Sequence, residues 1–237
     1  MNYLQTFERF EGVKKTKKIK KHWRSDRGGV SSVMGSIANK DANLNDLMKK
    51  LVKRFKIEKV KYMNAGAFGM AFIADGDKII KLTSNRDEAA EVKGLIDKKV
   101  PGCIEYYDIV YSKKFDIWAI LMQKCENLSK KEEKIFSLLF EEGLDNFDED
   151  DLDRGQNFSK DRINDIASEL RLSKEELMSF IRELVELKDK LESNDISIGD
   201  LHTGNMGRLD DELVHFDIMA GFTGENELNK ISKIKLG

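Results

Sequence analysis

Between residues 57 and 123, five short runs of β-branched and aromatic residues follow one another: I-E-K-V-K-Y-M, A-F-I-A-D, D-K-I-I-K-L-T, I-E-Y-Y-D-I-V-Y and F-D-I-W-A-I-L-M. Each has strand length, and turns bearing Gly or Asp separate several of them. The stretch A-D-G-D at 74–77 reads as a hairpin. One helical pattern interrupts the series, R-D-E-A-A-E-V-K-G-L-I-D-K-K from Arg86. The first half of the chain is therefore expected to be an antiparallel sheet with one inserted helix. Ahead of it, N-L-N-D-L-M-K-K-L-V-K-R-F-K places Leu44, Leu47, Met48, Leu51 and Phe55 on one face of an amphipathic helix.

The period changes in the second half. Ser129 with Glu132 reads as a capping box that opens K-K-E-E-K-I-F-S-L-L-F. Ser173 with Glu176 reads as another, opening a long helix that buries Leu177, Phe180, Ile181, Leu184 and Leu187 at helical spacing. A further helix is expected over about 159–171. Strands followed by helices make this an α+β chain.

Its 237 residues suffice for one large domain or two small lobes sharing a cleft. A net charge of −2 gives no global field towards nucleic acid or membrane. No apolar run approaches a membrane span, and the N-terminus lacks the pattern of a signal peptide. Cys103 and Cys125 are not closely spaced, so a reducing, cytoplasmic setting is expected. With His22, His202 and His215 as the only histidines, a His/Cys zinc site is not expected.

Charge is uneven along the chain. Residues 14–27 hold eight Lys or Arg against one Asp, followed by G-G-V-S-S-V-M-G-S. Residues 1–42 are read as an extension outside the core. It is either a solvated tail, an electrostatic foot on nucleic acid or an acidic partner, or a site of self-modification at Ser25, Ser31, Ser32 or Ser36. Residues 141–153 contain eight acids and no base, and read as a surface loop.

Four features carry chemistry. In N-A-G-A-F-G-M-A (64–71), Gly66 and Gly69 leave the backbone uncrowded, so its N–H groups can approach phosphate oxygens. Lys81 stands alone in the apolar run I-I-K-L, and a lysine facing inward needs a partner or a ligand. Glu88 and Glu91 on the next helix are both candidate partners, with Glu91 the first choice. In G-D-L-H-T-G-N, Asp200 can accept or orient the proton of an attacking hydroxyl. Asn205 and Asp217, the latter in H-F-D-I, are oxygen donors suited to Mg²⁺. Phosphate cradle, cation, metal ligands and a group for the nucleophile are what phosphoryl transfer requires. Taken singly, each has a plainer reading: a Gly turn, a lysine at the solvent face, a capped turn of Asp, Thr, Gly and Asn.

In this order the set resembles the protein-kinase-like superfamily over residues 57–222. The resemblance implies a minimal bilobal fold: an N-lobe at 43–125 with a preceding helix, and a short, truncated helical C-lobe at 126–237. It implies ATP and Mg²⁺ as cofactors, with Asn64, Gly66, Phe68, Gly69 and Lys81 at the nucleotide. L-M-Q-K-C-E at 121–126 resembles the inter-lobe hinge, with Met122 as gatekeeper and Gln123, Lys124 and Cys125 offering backbone groups to adenine. Asp200, Lys81 and Glu91 would be catalytic, and Asn205 and Asp217 would hold the metal. The loop D-L-H-x-G-N, with His202, is typical of aminoglycoside- and choline-type phosphotransferases, and occurs in small serine/threonine kinases of tailed bacteriophages. The layout resembles the phage kinases more closely. It implies transfer to protein hydroxyls, on the chain itself and on bacterial host proteins. Small-molecule phosphotransfer and non-catalytic binding are the alternatives.

The chain departs from the family in several places. Asn64 replaces the first loop glycine, Ile198 and Gly199 replace the usual His-Arg, and Ile218 and Met219 replace Phe-Gly. Twenty residues follow Asp217, without an A-P-E motif. The familiar peptide-docking platform is therefore not expected.

Overall fold

The computed structural model describes residues 44–65, 69–141, 160–196 and 203–216. These residues form two compact units. Residues 44–98 and 105–124 belong to the first, and 99–104 with the described residues from 125 onward belong to the second.

The first unit begins with α1 (Leu44–Phe55) and continues through β1 (Val60–Ala65), β2 (Gly69–Ala74) and β3 (Lys78–Thr83). Then follow α2 (Arg86–Leu95), β4 (Tyr106–Ser112) and β5 (Ile117–Gln123). All neighbouring strands are antiparallel, in the order β1-β2-β3-β5-β4. The β2–β3 hairpin turns where the sequence places it. Asp75 and Gly76 both take left-handed backbone (φ 53° and 96°), which Asp tolerates and Gly adopts freely. The Asp75 carboxylate also accepts the N–H groups of Glu58 and Lys59 at 2.9 and 2.8 Å, tying the turn to the start of β1.

Helix α1 buries Leu47, Met48 and Leu51 in one cluster with Met70, Phe72, Ile80 and Leu82 of the sheet and Phe115 of the β4–β5 turn. Leu44 and Phe55, expected on the same face, pack at the margin of that cluster. Helix α2 packs on β4 and β5 and buries Ala89, Ala90 and Val92. β5 is buried at every position but Gln123, the continuous apolar pattern of a covered inner strand.

The second unit contains α3 (Lys130–Glu141), α4 (Lys160–Leu170) and α5 (Lys174–Glu192). Both expected capping boxes are present. Glu132 accepts from the N–H of Ser129 while Ser129 Oγ accepts from that of Glu132, and Ser173 and Glu176 do the same. A three-stranded sheet completes the unit, and of it the sequence announces the D-D-E turn at 210–212 and the strand-forming V-H-F-D-I after it. It comprises β6 (Glu126–Asn127), β7 (Met206–Leu209) and β8 (Glu212–His215), in the order β6-β7-β8. A 3₁₀ turn, Thr203–Asn205, leads into β7.

Residues 99–104 form a strap on this unit. His215 N–H donates to the Gly102 carbonyl at 2.8 Å, and Ile104 N–H donates to the His215 carbonyl at 3.3 Å. Gly102 takes φ +81°, and a Cβ there would stand 2.9 Å from a methyl of Leu187. Among the described residues, no helix is long and apolar enough to cross a membrane.

Candidate active site

Lys81 lies in the first unit. β3 places it opposite Ala71 of β2 and Ile120 of β5. Its Nζ lies 2.7 Å from Oε1 of Glu88, and the two side chains retain 15% and 6% of their exposure. An ion pair this far out of water depends on close geometry, because desolvation of each charge has to be offset by the partner. The carboxylate comes from Glu88 and not from Glu91, which corrects the first choice made from sequence. The reason is the short link. Only Ser84 and Asn85 separate β3 from α2, and Asn85 caps the helix by accepting the N–H groups of Asp87 and Glu88. The first helical turn, which carries Glu88, therefore lies beside the strand. Glu91, on the next turn, is half-buried. Burial first, and the charge of Asp87 second, push its carboxyl above the usual value.

Gly69 opens β2 opposite Thr83. A Cβ on Gly69 would meet the Leu82 carbonyl oxygen at 2.5 Å, and Lys81 Cε lies 3.6 Å from the same point. The glycine thus has a local packing reason beside any role towards phosphate. Asn64 lies in β1, paired with Ala71, just past an irregularity in the β1–β2 register. Gly66 and Phe68 lie outside the described residues.

Met122 is buried in β5, paired with Ile79 and Tyr106. Gln123 N–H donates to the Glu105 carbonyl at 2.8 Å, and Lys124 N–H donates to the Asp77 carbonyl at 3.0 Å. Both amide donors are committed inside the protein. The expectation that this segment offers its backbone to adenine therefore does not extend to those two N–H groups. Cys125, the next residue, belongs to the second unit and packs its sulfur towards Gly207 of that same unit.

Asn205 lies in the second unit. It ends the 3₁₀ turn, is 3% exposed, and its carbonyl accepts the Phe216 N–H at 2.9 Å. That bond closes the base of the β7–β8 hairpin, whose turn is made by Asp210 and Asp211, both left-handed. Asp200, His202 and Asp217 lie outside the described residues. The basic segment 14–27 and most of the acidic segment 141–153 lie outside them as well. Asn205 offers a hard amide oxygen, donor chemistry that suits Mg²⁺. Among the described residues no three His, Cys, Asp or Glu gather as a metal-binding group. Mg²⁺ requires no such cluster, since water and substrate phosphates supply much of its shell.

One functional-looking residue escapes sequence reasoning. Arg208 on β7 donates from Nε and Nη2 to Oε1 of Glu132 at 2.8 and 2.6 Å, and from Nη1 to Oε2 of Glu183 at 2.6 Å. Nη1 also donates to the Asp211 carbonyl. Burial alone would raise the Glu132 carboxyl. Hydrogen bonds from Ser129 and the Arg208 guanidinium outweigh it and hold that carboxyl below the usual range. Nothing in N-M-G-R-L-D-D marks this arginine as other than a surface residue.

No protein-family model and no curated protein sequence matches the chain. Solved structures do match. A gentamicin complex of the aminoglycoside phosphotransferase APH(2")-IIa aligns over 73% of this chain and 68% of its own, at 17% identity and TM-score 0.35. An ADP-bound APH(2'')-Ib covers 73% and 69%, at 16% identity and TM-score 0.34. Aminoglycoside phosphotransferase APH(4)-Ia covers 75% and 71%, at 13% identity and TM-score 0.38. Identity and TM-score are low throughout, so the likeness is a distant one.

Proposed function

We propose that the chain is a phosphotransferase of the kinase-like class, moving the γ-phosphoryl group of ATP to a hydroxyl with the help of Mg²⁺. The observation that carries this reading is the Lys81–Glu88 ion pair, 2.7 Å long and largely removed from water, with Lys81 flanked in its strand by Ile79, Ile80 and Leu82. A cation held in this way is oriented for an anionic ligand. The ordered motifs around it support the same reading. Lys81 would hold nucleotide phosphates, with Glu88 fixing its Nζ. Asn205 and Asp217 would hold the metal, which when bound neutralises charge on the phosphates. Asp200 would take or orient the proton of the attacking hydroxyl.

For the acceptor, a small hydroxylated molecule of the amino-sugar kind is the reading we favour. It draws on the loop D-L-H-T-G-N with His202 in place. A second reading is transfer to protein serine or threonine, on the chain itself and on bacterial host proteins. Its support is the cluster of Ser25, Ser31, Ser32 and Ser36 within or beside the basic segment.

The test is ADP release by the full chain with Mg²⁺ and ATP, beside Asp200→Ala, with a panel of aminoglycosides and separately with a bacterial lysate. Intact mass of the chain is followed in parallel. ADP release that depends on a small molecule and on Asp200 supports the favoured reading. Phosphate increments on the chain or on lysate proteins, again absent in Asp200→Ala, support the second. ATP left untouched in every arm overturns both.

A further inference from the structure

We infer that Arg208 is a positioning residue for the metal–nucleotide complex: its guanidinium fixes the β7–β8 hairpin and, through it, Asn205. The inference rests on the phosphotransferase reading above.

The geometry is specific to this side chain. One planar fork reaches two carboxylates on two helices, Glu132 in the first turn of α3 and Glu183 in the middle of α5, and also the Asp211 carbonyl in the hairpin's own turn. Glu132 divides its oxygens. Oε1 serves Arg208, and Oε2 accepts the Ser129 N–H that caps α3. The Arg208 side chain is 20% exposed and that of Glu132 18%, so this pair is drier than an ordinary surface ion pair and its geometry is better defined.

The hairpin that Arg208 holds is closed at its base by the bond from Phe216 N–H to the Asn205 carbonyl. Asn205, at the root of β7, therefore follows the hairpin's placement. The hairpin has other anchors: β6 pairs with β7, the 99–104 strap pairs with His215, and Met206, Leu213 and Val214 are buried. Arg208 adds a rigid orientation that apolar packing and a two-residue strand pairing do not set. Lysine in its place would keep the charge and lose the fork.

The experiment uses the full-length wild type, Arg208→Gln and Glu183→Gln. Mn²⁺ binding is measured by electron paramagnetic resonance with a non-hydrolysable ATP analogue. Binding of the same analogue without metal, and the melting temperature, are measured alongside. Arg208→Gln is expected to weaken Mn²⁺ binding by about 10–100-fold, as loss of an outer-shell support does, with metal-free analogue binding unchanged. A lower melting temperature with wild-type Mn²⁺ affinity would make Arg208 structural only and overturn the inference. Should Arg208→Gln fail to fold, Glu183→Gln decides. It leaves the Glu132 pair and the α3 cap in place, and a smaller loss of Mn²⁺ affinity is then expected, with none overturning the inference. A wild type with no nucleotide-dependent Mn²⁺ binding would instead remove the phosphotransferase reading, and the inference with it.

Discussion

The ammonium of Lys81 is paired with the carboxylate of Glu88, at 2.7 Å, with little of either side chain in contact with water. Removing one member strands the other. Glu88→Gln is therefore expected to destabilise the first unit by roughly 3 kcal/mol, towards the lower end for a broken buried pair. Glu91→Gln is expected to act in the opposite direction near neutral pH. The folded carboxyl of Glu91 is raised, so its contribution to stability is present at low pH and lost as pH rises through the folded value. Neutralising it removes that loss. Urea unfolding of both variants at neutral pH checks the contrast, and equal destabilisation by the two would contradict the pairing.

Gly207 lies in β7 under β6. A Cβ there would stand 2.6 Å from Cys125 Sγ and would press on the Glu126 carbonyl oxygen. Gly207→Ala should therefore cost about 1–3 kcal/mol, as overpacking does, and weaken the β6–β7 pairing. Hydrogen exchange at the β6 and β7 amides reports it, with faster exchange confined to those strands. Unchanged protection would show that the strands part without strain.

The Arg208–Glu132 pair gives the second unit a defined acid sensitivity. The folded carboxyl of Glu132 lies below its ordinary value of 4.5. Its contribution to stability is thus full above that value and is lost as pH falls through the folded one. Arg208→Gln should lower stability at neutral pH and narrow its difference from wild type below about pH 5. Denaturant midpoints across that range measure the effect. A gap between the two proteins that stays constant with pH would argue against it.

Leu51 is fully buried between α1 and the sheet. Leu51→Ala is expected to destabilise the first unit by about 2–5 kcal/mol, read from the shift in its thermal transition. A change well below that range would mean that α1 is peripheral to the core.

Local signals account for most of what the sequence reveals. Ser129 with Glu132, and Ser173 with Glu176, are legible because a capping box is a contact between near neighbours. The Asp-Gly turn at 75–76 is legible because so few residues tolerate left-handed backbone. Lys81 stands out because it interrupts an apolar run. Long-range placement is harder to read. Glu88 and Glu91 are three residues apart and lie near one another on the helix surface, so periodicity leaves both open. Only the length of the link after β3 selects between them. β6 and β7 carry neither alternation nor β-branched enrichment, and their pairing follows from the fold around them. Arg208 looks like any charged residue beside a turn, because its two carboxylates come from helices far away in sequence.

The strap at 99–104 sets an order of events during synthesis. The first sheet has all its strands once Gln123 has been made. The partner of Gly102 and Ile104 is His215, which emerges much later, behind the whole helical segment. Until it arrives, those backbone groups have only water to bond. A nascent chain halted before Met206 would hold a finished first sheet and a strap with no strand to lie against. Completion of the second unit therefore waits until β7 and β8 have both been made.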